Sequence, residues 1–104
     1  MQQFDVCHLR GPGRSTKSAG LVLILQADLL DTIETCVVAP LVTHDALPAI
    51  RKLRPEFVVG GKRYRLICDR LSALERKNIG AIVGSLKDHE WDIRRALDLV
   101  FVGV

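Results

Sequence analysis

Arg65, Asp69 and Arg70 lie close together near one predicted strand end, the residue types of an acid-base centre. A carboxylate to move a proton beside guanidinium groups could form an acid-base cluster. The same three residues also describe a solvated, salt-bridged rim, and spacing alone does not separate the two. The stretch "GPGRSTKS", residues 11–18, has the composition of a phosphate loop. That loop needs glycine directly before its lysine so that backbone amides can cradle phosphate. Thr16 stands there instead, and a β-rich apolar run follows where a helix should begin, so a flexible basic loop is the expectation. His8, His44 and His89 have no ligand spacing, and Ser15, Thr16 and Ser18 have no discernible base. His44 and Asp45 adjoin, which suits a helix cap better than a dyad. The residues point to no catalytic set, no metal and no cofactor.

The elements that would carry these groups follow from periodicity. Phe4, Val6 and His8 alternate with Asp5, Cys7 and Leu9 as a short strand of period two. Residues 10–20 read as a glycine-, serine- and base-rich loop. Residues 21–27, "LVLILQA", form a continuous apolar strand, expected to be central; 28–34 supply a turn, and 35–41 a third strand whose Pro40 marks an edge or bulge. Residues 43–53 suit a short helix capped by Asp45. Residues 56–68 carry the strongest hairpin signal, two β-rich runs flanking Gly60-Gly61. Residues 69–86 read as a loop, a short strand near 79–83 and a turn. Residues 88–102 read as a helix with Ile93, Ala96, Leu97, Val100, Phe101 and Val104 on one stripe. Phe101 is therefore expected in the core, whereas Trp91 and Val102 fall on the outer side. Gly103 is placed to end the helix.

The chain of 104 residues suits one domain, residues 1–104, with 48% hydrophobic and 26% charged residues, which excludes disorder. A net charge of +3 is far from that of a dedicated nucleic-acid binder. Cys7, Cys36 and Cys68 are odd in number and widely spaced, reading as reduced, buried small hydrophobes in a cytoplasmic protein. No signal peptide is visible, and no apolar run approaches the ~20 residues of a membrane span. Strands followed by one terminal helix give an α+β class that is mostly antiparallel β.

The stretch "QADLLDTIETCVVAPL", residues 26–41, resembles the Q-S-D-I-I-D-T and V-I-P-L segments of the CcdB family, toxins of bacterial toxin–antitoxin modules. The likeness continues through "RPEFVVGGKRYRLI", residues 54–67. It resumes over residues 79–104, where Ile79-Gly80, Val83, Leu86, Asp92-Ile93, Ala96, Leu99, Phe101 and Gly103 match in register. The resemblance implies an SH3-like small barrel with a C-terminal helix, a homodimer, and a binding protein rather than an enzyme. It implies a cognate CcdA-like antitoxin as partner. It also implies entry into the cleft of the DNA gyrase A subunit, trapping gyrase on cleaved DNA. The implied gyrase-binding residues are Leu29, Leu30, Asp98, Phe101, Val102, Gly103 and Val104. The family pattern carries tryptophan where Val102 stands, asparagine at Asp98 and proline at Glu75, and residues 10–20 make a longer loop than the best-known pattern. A second reading keeps the barrel but makes it an endoribonuclease like the MazF/Kid toxins, with Arg10, Arg14, Arg65 and Asp69 as candidates. A third is a relative that binds an antitoxin and poisons nothing.

Overall fold

The computed structural model describes residues 1–10, 18–43, 45, 47–50 and 52–103. Among them are seven strands: β1 (Asp5–Arg10), β2 (Ser18–Ile24), β3 (Thr35–Thr43), β4 (Glu56–Val59), β5 (Lys62–Leu66), β6 (Ser72–Glu75) and β7 (Ile79–Ser85). One helix follows, α1 (Glu90–Phe101). The strands form a curled, wholly antiparallel sheet in the order β4-β5-β3-β2-β1-β7, with β6 paired to β3 beside β5. This is the expected α+β small barrel. No helix among the described residues is long and apolar enough to cross a membrane.

Alternation along β2 explains its unbroken apolar run. Leu23 joins an inner core with Val6, Ala39, Leu41, Phe57 and Leu66, onto which α1 docks Ile93 and Ala96. Val22 and Ile24 face the other way, into an outer cluster with Cys7, Cys36, Val38 and Ile79. A strand buried on both faces needs no polar alternation. The apolar side chains of Val22, Leu23, Ile24 and Val38 are thus covered within the chain. The three cysteines are free and buried. Burial pushes each thiol up, that of Cys68 to about 12, so they pack as apolar side chains.

Gly60 and Gly61, at φ 58° and 81°, make the two-residue turn between β4 and β5. Pro40 lies at neither an edge nor a bulge. It sits in a central strand where β3 changes partners, from β6 over residues 35–38 to β5 over residues 41–43. Its carbonyl accepts the N–H of Ile67 at 3.0 Å. In an extended strand N–H and C=O of one residue point the same way, so the missing N–H faces the gap between β5 and β6.

Three further expectations are corrected. The described residues of 43–53 form no helix: Thr43 ends β3, and the rest are turn or irregular backbone. Strand β6 lies where a loop was expected, its Leu74 packing on the outer cluster. Phe101 is 71% exposed and Val100 is 36% exposed, so the buried part of the stripe stops after Leu97. Phe101, in the last turn of α1, therefore stands largely in solvent. Val104, placed on the same stripe, lies outside the described residues.

Candidate functional site

The start of α1 is set from the barrel. Leu86 donates its N–H to the carbonyl of Phe4 at 2.8 Å, and the His89 ring lies 5.0 Å from that of Phe57. Ile93 and Ala96 then hold one side of the helix down. The opposite side carries Trp91, Arg94, Arg95, Asp98 and Val102 as one exposed stripe, and Phe101 joins this surface beyond the end of the packed layer. Trp91 is 76% and Val102 68% exposed, as their spacing predicts. The guanidinium of Arg94 lies 5.9 Å from the Trp91 ring centroid while its Nε donates to Glu90 at 2.8 Å. At the helix end the Asp98 carbonyl accepts two N–H groups, from Val102 at 2.7 Å and from Gly103 at 3.1 Å. Gly103 takes φ 81°, a left-handed turn that closes the helix without a side-chain clash. Asp98, Phe101, Val102 and Gly103 are thus brought together on one solvent-facing tip.

Leu29 and Leu30 stand on a separate element, a 3-10 turn between β2 and β3. Leu29 is 90% exposed, yet the backbone beneath it is tied down. Asp28 accepts the Gln3 N–H at 2.7 Å, and the Gln26 amide donates to the carbonyls of Leu30 and Thr35 at 3.3 and 3.1 Å. Arg76 donates to the carbonyls of Ile33 and Leu30. Sequence reasoning missed Arg76, and no local signal marks it, because its partners lie more than 40 residues away in the chain.

The basic candidates do not assemble into one centre. Arg65 is buried, with one guanidinium nitrogen 2.7 Å from the Leu47 carbonyl and another 3.2 Å from a Glu56 carboxylate oxygen. Asp69 takes a two-pronged pair from Arg54, at 2.9 and 2.8 Å. Arg10 and Arg70 are exposed, and Arg14 and His44 lie outside the described residues. The rim reading therefore holds for Asp69, while Arg65 is a structural cation under the loop. No group of metal-binding side chains occurs among the described residues.

The Arg54 pair holds the Asp69 carboxyl below its ordinary value, chiefly through the side-chain hydrogen bond. A carboxylate lowered on folding adds stability above its unfolded value of about 3.9, lost as pH falls through the folded value. Wild type should therefore lose stability below about pH 4 faster than Arg54→Leu. Urea midpoints from pH 5 down to pH 2.5 check this, and parallel acid limbs would show that the pair contributes nothing.

Comparison with known proteins adds the following. The chain matches the family model described as CcdB protein over residues 3–103. No significant match was found among curated proteins. Among solved structures it is similar to an endoribonuclease in complex with its cognate antitoxin from a mycobacterial species, at TM-score 0.77 and 12% identity over 98% of this chain and 95% of that one. It is likewise similar to the Mycobacterium tuberculosis toxin MazF-mt6, at TM-score 0.77 and 16% identity over 94% and 96% of the two chains. MazF from Deinococcus radiodurans gives TM-score 0.71 and 12% identity over 100% and 97%. At such identities these likenesses establish the fold.

Proposed function

The chain belongs to the CcdB family of toxin–antitoxin toxins, and on that premise we propose that it acts without catalysis, by gripping the A subunit of DNA gyrase and holding the enzyme on cleaved DNA. The gripping surface is the helix tip, Asp98, Phe101, Val102, Gly103 and Val104, with Leu29 and Leu30 as a second contact. One observation carries this reading: Phe101 and Val102 are 71% and 68% exposed at the closed end of a helix whose base is firmly docked. Two large apolar side chains held in water on a rigid support fit a protein-contact surface better than a core terminus. Expression in gyrase-sensitive cells should accumulate cleaved-DNA complexes; their absence in cells making folded protein would end this reading.

The protein acts in the cytoplasm as a homodimer, with a CcdA-like antitoxin as its second partner. Sedimentation at micromolar concentration should give twice the chain mass, and a monomer alone would remove the dimer.

Endoribonuclease activity on the same barrel is the second reading, favoured by the fold shared with the MazF structures. Against it, Arg65 and Asp69 are each engaged by a separate structural partner.

Val102→Trp tests the mapping of the tip. Val102 points away from the core, so a large ring there should change stability by no more than about 0.5 kcal/mol. Facing an arginine on gyrase, the ring should strengthen binding by about 1–2 kcal/mol, roughly tenfold. Thermal melting and gyrase affinity check the two halves. A destabilised variant with unchanged affinity would mean that the family's mechanism does not carry over.

A further inference from the structure

The inner face of the sheet continues past the core. Inward positions alternate along each strand, so two residues beyond Val6 comes His8, beyond Leu41 comes Thr43, and before Leu66 come Tyr64 and then Lys62. Thr43 and Tyr64 are direct partners across β3 and β5, and Lys62 pairs with Val59 of β4. Together they line a cleft of about 530 Å³ at the mouth of the barrel, floored by buried Leu41 and Val59. That volume lies within the roughly 300–1,000 Å³ of small-molecule sites. None of its described lining residues comes from α1, and none is a carboxylate.

The layers below carry Val, Ala, Leu and Phe at these inward positions. The mouth layer instead carries an imidazole, a hydroxyl, a phenol and an ammonium. His8 and Tyr64 are half-buried, while Thr43 and Lys62 are exposed at the rim. Apolar walls and an aromatic ring suit a flat heterocycle. The histidine and threonine can donate to or accept from its edge or an attached sugar. A lysine at the rim, unopposed by any described acid in the cleft, suits a phosphate.

We propose that the barrel mouth is a second binding site, separate from the helix tip, for a nucleoside phosphate: base against Tyr64, edge toward His8 and Thr43, phosphate toward Lys62. The ligand is either a free mononucleotide or one nucleotide of a single strand. A net charge of +3 favours a contact of one or two nucleotides over tracking of a long backbone.

The test titrates the intact protein with 5′-UMP, 5′-AMP and a single-stranded RNA hexamer, following the aromatic resonances of His8 and Tyr64. At least one probe should shift both residues, and Lys62→Glu should weaken that binding at least tenfold while leaving the melting temperature and gyrase affinity unchanged. Shifts with the mononucleotides assign a free nucleotide; shifts with the hexamer alone assign a strand. No shift with any probe at millimolar concentration, or binding that Lys62→Glu leaves intact, overturns the proposal.

Discussion

Removal of residues 102–104 should abolish gyrase binding and leave the barrel folded. Interface anchors contribute at least about 2 kcal/mol each, so losing Val102 alone should weaken binding roughly thirtyfold, and losing all three should weaken it further. Stability should fall little. The truncation removes the two N–H groups that Val102 and Gly103 donate to the Asp98 carbonyl. Such bonds contribute about 0.5–1.5 kcal/mol each when fully sheltered. Val102 is 68% exposed, which places this cost at the lower end. The expected melting change is a few degrees, since about 1 kcal/mol moves a domain of this size by ~4–8 °C. Differential scanning calorimetry and a gyrase-binding titration read the two effects separately. An unfolded truncated protein would make the tail part of the core.

Ile93→Ala should have the opposite profile. Ile93 is fully buried, and it and Ala96 are the buried residues of α1. Cutting it to alanine leaves a cavity between helix and barrel and should cost about 2–5 kcal/mol. A small domain holds only about 5–15 kcal/mol in all, so the melting temperature should drop by at least ~8 °C. Trp91→Ala, on the opposite face and 76% exposed, should stay within about 0.5 kcal/mol of wild type. Similar melting curves for the two variants would mean that α1 is not docked through Ile93.

The elements legible in the sequence are those whose signals are local. The Gly60-Gly61 hairpin was readable because only glycine takes two successive left-handed residues cheaply. Helix α1 was readable from its period, but periodicity says which side a residue faces and not how far the neighbouring layer extends. That is why Phe101 was assigned to the core although the barrel ends beneath Leu97. Strand β6 is not legible because "SALE" is only four residues long and mostly exposed, and is held in place by β3 from over 30 residues away. Pro40 was placed at an edge because no local pattern reveals that a central strand can trade one partner for another.

The family likeness directs attention to residues 98 and 101–104, of which Phe101 and Val102 stand exposed at the helix end. The long-range ties that hold the loops are not legible in the sequence. Arg76 reaches the carbonyls of Leu30 and Ile33 across the fold, and the Asp69 partner, Arg54, comes from the segment preceding β4. The mouth residues His8, Thr43, Tyr64 and Lys62 come from three strands and converge only once the sheet has curled.

Strand β1 lies between β2 and β7, with Asp5 opposite Ser85. This ladder joins residues 80 positions apart (85 − 5), so adding β7 to the sheet is a long-range event of the slow, millisecond-to-second class. During synthesis, β1 and β2 can pair early, but Cys7 waits for Ile79 before the outer cluster is shielded. Phe101 and Val102 follow Ser85 by 16 and 17 residues (101 − 85 and 102 − 85), an interval of about one to three seconds at typical elongation rates. The helix tip proposed above as a contact surface is therefore translated after β7, so a chain stalled before Ser85 carries an incomplete sheet and no tip.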